Sequence, residues 1–394
     1  MLKNFYNNMK EGEVMELKNL RPTWLNIDLD AIKFNLKQVK ERISSETGIM
    51  AIVKADGYGH GASEIAKVAV QEGVGWLGVA TVHEGVKLRR SGIEVPILIL
   101  GTLLTNQIDE IVEYDLTPTV YTYALAKELS QLGIDIKIHI KVDTGMGRIG
   151  LLADEEAGEE IVKIAKLPHI QIEGLFTHFA KSDVDKVYTA KQLDRFNRLV
   201  GFLKDNGIEV PLIHTSNSAA IINFSKANYK LVRMGIILYG LYPDPRLSDQ
   251  IELKPAMEWK AKIVHLKEVN AGTPISYGGT YITQSRTKVA TLPVGYHDGY
   301  SRALSGQVEV LFKGQRVPVI GNICMDQMMI DVSGMKAEIG DVVTLIGKEG
   351  DEEISADELA CKLKTINYEI VCRIALRVPR VFYKDKKVIG FKEG

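Results

Sequence analysis

Apolar and polar residues follow a repeating order through the N-terminal part of the chain. Short apolar or β-branched runs predict strands, and each is followed by a stretch with apolar residues three and four positions apart, which predicts a helix. The strand runs are Ile49–Val53, Gly75–Val79, Ile97–Leu100, Leu116–Val120, Ile136–Val142, Ile170–Phe176, Leu212–His214 and Leu231–Ile236. The helical stretches include Gly61–Gln71, Asp154–Lys166 and Tyr188–Leu203. A doubly wound sheet has the same local pattern, but eight strand–helix units favour a (β/α)8 TIM barrel, so we predict an α/β fold with that barrel.

The pattern changes after Pro243-Asp244-Pro245, where alternation and frequent turns replace the helical periodicity. Strand patterns at Lys288–Leu292, Val308–Phe312 and Val342–Leu345 predict a mostly antiparallel β domain. One helix is predicted at Ser355–Leu363, with Ser355 and Glu358 forming a capping box. We therefore predict three segments: an N-terminal extension over 1–20, a barrel over 21–245 and a C-terminal β domain over 246–394.

Composition and charge exclude several classes of protein. Of the 394 residues, 45% are hydrophobic and 25% are charged, as in an ordinary globular protein of about two domains. The 49 basic and 50 acidic residues give a formal net charge of -1, so the overall charge does not favour a nucleic-acid partner. No apolar run is long enough to span a bilayer, and the polar N-terminus does not resemble a secretory signal. The three cysteines, Cys324, Cys361 and Cys372, lack metal-ligand spacing, so we expect a cytoplasmic protein without a metal site or a membrane partner.

Polar residues gather where the predicted barrel strands end, which is where barrel enzymes place their chemistry. These strand ends contain Lys54, the segment Lys141–Arg148, His178, the segment His214–Ser218 and the segment Arg233–Ile236. Lys54 has two interpretations: a lysine whose apolar stem lies along the surface, or a desolvated neutral amine that attacks a carbonyl and forms a Schiff base. The residue alone does not decide between them.

Two of these strand ends suit a phosphate group. Ser216-Asn217-Ser218 opens a predicted helix, where hydroxyls and unbonded main-chain N–H groups are available, and Gly235 allows a close approach to the main chain. Phosphate sites in barrels typically follow strands seven and eight, where both segments fall. The alternative is an ordinary helix cap, with Gly235 relieving a packing conflict.

One glycine motif suggests a different ligand. Gly145–Gly150 fits the pattern G-x-G-x-x-G, and Glu173 follows at a distance that resembles a dinucleotide-binding fingerprint. However, the motif follows the fifth predicted strand rather than the first, and the next helix begins only near Asp154. We therefore disfavour a nucleotide site.

Several segments, spread in order from about Arg21 to Arg380, resemble the bacterial alanine racemases. The run Ala51–Gly61, which contains Lys54 and Tyr58, is similar to the pyridoxal-phosphate (PLP) attachment signature of this family. Further similar segments are Lys141–Arg148, Phe176–Ala180, His214–Ala220, Val232–Ile236, Ile275–Gly278, Val294–Tyr296 and Gly321–Gln327. The resemblance implies a PLP barrel followed by a β domain. It also implies an isomerase that interconverts L-alanine and D-alanine and so supplies D-alanine for cell-wall peptidoglycan.

The same resemblance implies two proton carriers. Lys54 would bind PLP covalently and, once the substrate displaces it, would act as the base on one face of the substrate Cα, with Tyr277 on the other. Inversion by proton removal and return needs a carrier on each face. A phenol is a poor base at neutral pH unless neighbours favour its phenolate, which is the role implied for His178 and Arg148. Lys141 would orient Arg148, and in some relatives this lysine is carbamylated.

The resemblance also assigns contacts with the cofactor and the substrate. Arg233 would face the pyridine nitrogen of PLP, with His214 behind it. Because a guanidinium only donates hydrogen bonds, the ring nitrogen would stay unprotonated, which favours return of the proton to Cα over transamination. The other implied PLP contacts are Tyr58, Asn217, Ser218, Gly235 and Ile236. The implied substrate contacts are Arg148, Tyr296 and the main-chain N–H of Met325.

In this family the β domain of one subunit completes the site of the other, so the resemblance implies a homodimer with shared sites. Three residues depart from the family pattern: Leu376, where some relatives have a tyrosine, Lys181 near the expected entrance, and His297. They keep open a racemase with a wider range that includes serine or lysine. A PLP decarboxylase of basic amino acids is a second alternative, against which Arg233 argues. A PLP carrier protein is a third, and such proteins resemble the barrel alone.

Overall fold

The computed structural model describes residues 20–393, which form two structural units. We call residues 31–57 and 62–254 the barrel unit, and residues 20–30, 58–61 and 255–393 the β unit. The predicted N-terminal extension lies outside the described residues except for Leu20.

The first strand, β1 (Thr23–Asp28), lies in the β unit, although the sequence pattern places the start of the barrel at residue 21. The physical reason is its pairing. β1 pairs antiparallel with Met257–Lys262 and parallel with Arg380–Lys384, and both partners follow the barrel in the chain. The alternation of polar and apolar residues within one strand does not reveal which distant strands pair with it. The sequence pattern therefore placed these residues in the barrel, which follows them directly in the chain.

Within residues 48–234, a parallel sheet of eight strands forms the barrel unit, with one two-residue strand, β7, added beside β6. The strands are β2 (Gly48–Ile52), β3 (Trp76–Val79), β4 (Ile97–Ile99), β5 (Thr117–Val120), β6 (Ile136–Asp143), β7 (Leu151–Leu152), β8 (Ile170–Phe176), β9 (Leu212–His214) and β10 (Leu231–Met234). Their order in the sheet is β10-β2-β3-β4-β5-β6-β8-β9. The main-chain N–H of Arg233 donates to Ser216 O at 3.0 Å and so links the last strand to the segment after β9. Each of the eight predicted runs overlaps one of these strands, and the predicted barrel fold is confirmed.

Polar residues cap the first turns of several helices that follow the barrel strands. The helices are α1 (Leu29–Lys40), α2 (Ala62–Gln71), α3 (Val82–Arg90), α4 (Ile108–Glu113), α5 (Tyr123–Ser130), α6 (Glu155–Ala165), α7 (Lys186–Asp205) and α8 (Ser218–Asn223). Asp154 and Asp185 each accept the main-chain N–H three residues on, and Thr81 and Glu84 form a full capping box at α3. Side-chain acceptors at these positions satisfy N–H groups that have no partner inside the helix. Most residues of the strands are apolar and buried, so the core lies along the sheet.

A sheet that is antiparallel except where β1 meets the strand Arg380–Lys384 forms the β unit. Its later strands are β11 (Met257–Lys262), β12 (His265–Val269), β15 (Thr287–Leu292), β16 (Glu309–Phe312), β17 (Gln315–Ile320), β18 (Met328–Asp331), β19 (Val342–Glu349), β20 (Glu352–Ile354), β21 (Arg380–Lys384) and β22 (Lys387–Lys392). A separate hairpin pairs β13 (Pro274–Ile275) with β14 (Tyr281–Ile282). Two helices accompany them, α9 (Ala356–Leu363) and α10 (Asn367–Cys372). The predicted C-terminal antiparallel β fold is thus confirmed.

The capping box predicted at α9 is only half formed. The Ser355 hydroxyl accepts the Glu358 N–H at 3.0 Å, as expected for an N-cap. The Glu358 carboxylate does not reach back, because it receives two hydrogen bonds from Arg316 at 2.9 and 3.0 Å. An ion pair with a more distant residue has replaced the local contact.

Short 3-10 turns occupy several loops of the described chain: Thr105–Gln107, Ser225–Ala227, Ile236–Tyr239, Pro245–Gln250, Tyr277–Gly279, Tyr296–Asp298 and Arg302–Leu304. In residues 20–393, none of the helices combines the length and the apolar character needed to cross a bilayer.

Candidate active site

Lys54 follows β2 and stands at the start of a left-handed turn. Ala55, Asp56 and Gly57 have φ of 53°, 52° and 64°, a region that L-residues other than glycine occupy at a cost of about 1–2 kcal/mol each. Glu84 holds the turn by accepting the Ala55 N–H at 2.7 Å, and the Gly57 N–H donates to the carbonyl just before Lys54 at 2.8 Å. The turn bends the chain directly after Lys54 and leaves this residue at the strand end, as predicted.

Arg233 lies on β10 and is only 3% exposed. Its Nη1 donates to His214 O at 2.8 Å and to His214 Nδ1 at 3.0 Å, while Nη2 donates to Thr177 O at 2.7 Å and Thr215 O at 2.9 Å. Burial, followed by the charge of Arg148, lowers the pKa of Arg233 to about 9, so the guanidinium is still cationic at neutral pH. Among the described residues, no acceptor meets its Nε–H, which is therefore available to a ligand.

The arginine determines the tautomers of a chain of imidazoles. Because Arg233 can only donate, His214 Nδ1 must accept, and its Nε2 carries the proton. This Nε2–H donates to His139 Nδ1 at 2.9 Å, so the His139 proton lies on Nε2, which is 3.6 Å from Glu173 Oε2. Burial, and then the charge of Arg233, lowers the pKa of His214 well below its ordinary value. Neutral histidines therefore connect a buried cation to the Glu173 carboxylate.

Neighbouring residues of β8 make room for this chain. Gly174 lies opposite His139 across the sheet, and a Cβ at this position would overlap the His139 ring. Phe176 stacks on the His214 ring with centroids 4.7 Å apart and planes within 7°. The same phenyl ring lies 5.5 Å from the guanidinium of Arg233 and 5.5 Å from Lys141 Nζ.

Lys141 is buried at the end of β6 and donates from Nζ to Val142 O at 2.7 Å. Burial, and then the charge of Arg233, lowers its pKa to about 7, although Asp143 opposes the shift. A substantial fraction of this amine is thus neutral at physiological pH. That state is reactive toward electrophiles such as carbon dioxide.

Asp143 shapes the loop that contains Arg148. Its carboxylate accepts the N–H groups of Gly145 and Met146 at 2.8 Å and of Arg148 at 3.1 Å. Burial tends to raise the pKa of Asp143, but these three hydrogen bonds outweigh it and lower the pKa. The glycine motif therefore closes around an aspartate, and α6 begins later at Glu155, which agrees with our rejection of a nucleotide site.

His178 lies among positive charges, with its Nδ1 3.4 Å from Arg233 Nη2. Burial lowers its pKa well below the ordinary value, and four cations lower it further: Arg233, Arg148, Lys141 and Lys54. The imidazole is consequently neutral in a strongly electropositive site. Such a site favours an anionic ligand.

The segments predicted to hold phosphate meet each other in the barrel unit. Ser218 Oγ accepts the Gly235 N–H at 3.0 Å, which leaves the hydroxyl proton free to be donated. Ile236 begins a 3-10 turn whose first hydrogen bond runs from the Leu238 N–H to Gly235 O, so the Ile236 N–H lies before the first donor of the turn. The Asn217 side chain acts as the α8 cap, since its Oδ1 accepts from Ala220 N at 3.1 Å and from Ser182 Oγ at 2.8 Å. Its Nδ2 donates to Phe179 O at 3.5 Å, so both ends of the side chain are engaged and the main chain is the part offered to a ligand.

In the β unit, Tyr277, Tyr296 and Met325 lie on adjoining turns with large exposed fractions, of 71%, 42% and 52%. Tyr296 N donates to Cys324 O at 3.0 Å, and Asn322 Nδ2 donates to Tyr277 O at 2.7 Å. The Met325 N–H meets no acceptor in the described part of the chain. It is therefore available for the carboxylate predicted to bind there.

Tyr58 also lies in the β unit, buried beside Tyr368 with ring centroids 6.0 Å apart. Burial, and to a smaller extent Cys372, raises the pKa of its phenol, so Tyr58 is protonated at neutral pH. A protonated phenol can donate to a phosphate oxygen, which is the role predicted for it.

The three departures from the family pattern have defined surroundings. Leu376 is half exposed and precedes Arg377, which donates to Asp298 at 2.8 Å and to Asp326 at 2.6 Å. Lys181 Nζ lies 5.3 Å from the centre of the Tyr188 ring. The His297 N–H donates to the main-chain carbonyl of Met325 at 3.0 Å.

Sequence analysis did not identify His139 and Glu173 as parts of the site. One signal was present: Lys137, His139, Lys141 and Asp143 alternate with apolar residues along β6, so their side chains share one face of the strand. Four polar residues on one face of a strand, of which the last three are buried, indicate a polar network.

The barrel unit fits PLP, the cofactor that the sequence resemblance implies. Its phosphate would be met by Ser218 and the N–H groups near Gly235, and its aldehyde by the Lys54 amine. Its pyridine nitrogen is an acceptor and would match the Nε–H of Arg233, which has no acceptor in residues 20–393. The cations around His178 would balance the negative charge. Among the described residues, no cluster of histidine, cysteine, aspartate and glutamate could hold a metal ion.

Comparison with known proteins gives matches over both units. The family model described as alanine racemase, N-terminal domain, matches residues 27–243, and that described as alanine racemase, C-terminal domain, matches residues 256–382. An alanine racemase of Halothermothrix orenii is 50% identical over 378 residues, which are 94% of this chain and 99% of that protein. One of Methanococcus maripaludis is 46% identical over 368 residues, which are 92% and 98% of the two chains.

Solved structures agree with these matches. The alanine racemase of Clostridium difficile 630 superposes with a TM-score of 0.91 at 40% sequence identity. The match covers 95% of this chain and 98% of that one.

The buried histidines predict a loss of stability in mild acid. His139, His178 and His214 all have a pKa below the ordinary 6.5, so the unfolded chain binds protons that the folded chain does not. Stability is therefore complete above pH 6.5 with respect to these groups and falls as the pH drops below it. Urea unfolding at several pH values between 6.5 and 5 measures the slope.

His139→Gln removes one of these groups and should reduce the slope by up to about 1.4 kcal/mol per pH unit. His169→Gln is the matched control, since His169 is a more exposed histidine paired with Asp135. An equal slope in the wild type and in His139→Gln would contradict the assignment.

Proposed function

The chain belongs to the alanine racemase family and catalyses the PLP-dependent interconversion of L-alanine and D-alanine, and we propose the following roles for its residues in that reaction. The observation that carries the proposal is the buried Arg233, whose contacts use every donor except Nε–H. Because a guanidinium only donates hydrogen bonds, the remaining Nε–H suits a ligand atom that accepts a hydrogen bond and stays unprotonated, such as the pyridine nitrogen of PLP.

PLP, when bound, withdraws the electron pair that remains on the substrate Cα after its proton leaves. We assign Lys54 to the covalent attachment and Arg233, backed by His214, to the ring nitrogen. The phosphate contacts are assigned to Tyr58, Ser218, Gly235, Ile236 and the main chain of Asn217. Because Arg233 does not give up its proton at neutral pH, it limits the electron withdrawal and favours return of the proton to Cα.

Lys54 and Tyr277 are the proposed proton carriers. A single base returns the proton to the face from which it came, so inversion needs one group on each face of Cα. Lys54 serves one face with its ε-amine and Tyr277 serves the other with its phenol oxygen. His178, neutral because of its low pKa, and the cation Arg148 assist the tyrosine.

The substrate carboxylate is the anion that the remaining donors suit. Arg148 offers a guanidinium, Met325 offers a main-chain N–H without an acceptor in the described residues, and Tyr296 offers a hydroxyl. A charged and a neutral donor together fix the orientation of a carboxylate without fixing the side chain. Serine or lysine therefore stays possible as a further substrate, with Leu376 and Lys181 as the residues that would permit it.

We assign carbamylation to Lys141. The neutral amine adds carbon dioxide and releases one proton, and the resulting carbamate is an anion between two arginines. This replaces a repulsion that contributes to the low pKa of Lys141 by an attraction to Arg148 and Arg233.

The two proton carriers belong to different units, since Lys54 lies in the barrel unit and Tyr277 in the β unit. As in the family that the sequence resembles, we propose a homodimer in which each barrel unit works with the β unit of the partner. We further propose a cytoplasmic enzyme that supplies D-alanine for peptidoglycan. A PLP decarboxylase is disfavoured, because Arg233 leaves no acid to protonate the ring nitrogen.

Tyr277→Phe should retain PLP and lose racemisation. The substitution removes one hydroxyl, so we expect the rate to fall by about 100-fold or more. Proton NMR of L-alanine in heavy water follows the α-hydrogen, and chiral separation follows D-alanine. Turnover at the wild-type rate would refute the assignment of Tyr277. The same assay with L-serine and L-lysine measures the substrate range.

Two inactive variants should restore activity in a mixed dimer. When Lys54→Ala and Tyr277→Phe chains are co-expressed with different tags, one site of the heterodimer receives both defects and the other receives neither. The purified heterodimer should therefore racemise alanine, whereas each variant alone should not. An inactive heterodimer would show that each site belongs to a single chain.

Carbamylation of Lys141 should be visible with labelled bicarbonate. Carbon-13 NMR of the holoenzyme is expected to show a carbamate signal that grows as the pH rises through the pKa of Lys141, about 7, because only the neutral amine reacts. Lys141→Arg should abolish the signal, since a guanidinium does not react. A signal that persists in Lys141→Arg, or its absence from the wild type, would refute the assignment.

A further inference from the structure

The residue before Tyr277 has a strained backbone. Ser276 has φ of 67° and ψ of −174°, a conformation that is essentially restricted to glycine. A serine in this region costs about 1–3 kcal/mol and persists only when surrounding contacts hold it there. Strain of this kind clusters at functional sites, so the contacts around Ser276 show what it serves.

Two reciprocal hydrogen bonds hold the strained turn. The Ser276 hydroxyl donates to Asn322 O at 2.6 Å, and the Asn322 side chain donates from Nδ2 to Tyr277 O at 2.7 Å. We call this pair of bonds the Ser276–Asn322 clamp. One bond holds the side chain of the residue before Tyr277 and the other holds the Tyr277 carbonyl, so this carbonyl cannot rotate away without breaking the bond from Asn322.

The chain segments that precede Ser276 and Asn322 are both anchored in the buried core. Ile275, before the turn, is 4% exposed and packs in a core cluster with Val289 and Ile320. Gly321, before Asn322, passes so close that a Cβ there would lie 2.7 Å from Ile275 O and 2.9 Å from Ser276 Cβ. Neither segment can therefore move away from the other without disturbing the core.

The clamp also connects Tyr277 to the proposed carboxylate-binding residues. Asn322 begins the turn that contains Cys324 and Met325, and Cys324 O accepts the Tyr296 N–H at 3.0 Å. The Ser276 hydroxyl also lies 3.4 Å from Cys324 Sγ. Three turns of the β unit, bearing Tyr277, Tyr296 and Met325, thus form one hydrogen-bonded group.

We propose that Asn322 is a positioning residue for proton transfer: through the Ser276–Asn322 clamp it fixes the Tyr277 phenol relative to the donors for the substrate carboxylate. The inference rests on the proposed function of Tyr277. Proton transfer is sensitive to displacement, and an error of about 1 Å can slow a reaction by about 100-fold. The PLP contacts in the barrel unit do not involve the clamp, so cofactor binding is unaffected.

Asn322→Asp and Asn322→Ala test the clamp in the PLP-loaded enzyme. Both variants lack the donor to Tyr277 O, and we expect kcat/KM for alanine to fall by about 10–100-fold with the cofactor spectrum unchanged. Asn206→Asp is the matched control, because Asn206 Nδ2 donates to Phe202 O at 2.8 Å at the end of a barrel helix. This control removes the same kind of bond and should keep the wild-type rate.

Isotope effects distinguish positioning from general damage. With α-deuterated D-alanine and L-alanine, the primary isotope effect should increase for only one enantiomer, the one whose α-hydrogen Tyr277 removes. The other enantiomer should change instead in its solvent isotope effect, since Tyr277 then returns the proton. Loss of folded protein would lower both rates and leave the isotope effects as they are.

Ser276→Gly separates the clamp from folding. Glycine adopts the conformation of Ser276 without strain, so this variant should fold at least as stably as the wild type in thermal unfolding. It lacks the hydroxyl and should nevertheless racemise alanine more slowly, with the same one-sided isotope effect.

Wild-type rates in the Asn322 variants and in Ser276→Gly would overturn the proposal, and so would a slower rate without a change in the isotope effects. The Tyr277→Phe variant identifies which inference has failed. If it is inactive while the Asn322 variants are normal, only the clamp is refuted. If it is fully active, the role of Tyr277 itself is refuted.

Discussion

The barrel half of the site depends on one buried cation, the guanidinium of Arg233. A buried arginine must find acceptors for its N–H groups, and it cannot offer an acceptor in return. This requirement selects main-chain carbonyls and the Nδ1 of His214, and through His214 it fixes the tautomer of His139. The glycine at 174 is part of the same constraint, because a larger residue would occupy the space of the His139 ring. The direction of every hydrogen bond in this chain follows from the donor-only character of one side chain.

The residues around Arg233 carry more positive than negative charge, and this excess explains which ligands the site favours. Arg148, Lys141 and Lys54 all act on His178, and the nearby carboxylate of Asp143 is engaged by main-chain N–H groups. Burial, and then the positive charge of Arg233, lowers the pKa of Lys141, because a lysine in such a site gives up its proton more readily than an arginine does. The PLP phosphate and the substrate carboxylate would supply negative charge. The positive charge of the site is therefore balanced only when both ligands are bound. The site therefore favours anionic ligands because several cations act on the same buried histidine.

Sequence patterns predicted the barrel well, because each barrel strand is a short apolar run whose character does not depend on its neighbours. They failed for β1, whose partners Met257–Lys262 and Arg380–Lys384 lie hundreds of residues away. The same limit applies to the site. Family resemblance pointed to Arg233 and His214, but His139 and Glu173 join them only through sheet register, which a linear pattern does not contain. Asn217 illustrates the opposite case, in which a residue at the expected place has its side chain occupied by a local cap.

The two proposed proton carriers share a structural feature that chemistry alone does not require. Lys54 immediately precedes a left-handed turn that includes Ala55 and Asp56, and Tyr277 immediately follows Ser276 in a glycine-like conformation. In both places a side chain from another segment holds the strained main chain, Glu84 for the first and Asn322 for the second. Strained segments are less able to relax into alternative positions when their supports are intact, because every support would have to break at once. Proton transfer to opposite faces of one carbon requires two groups that are each held in place, and the bonds from Glu84 and Asn322 hold the main chain next to each proposed carrier.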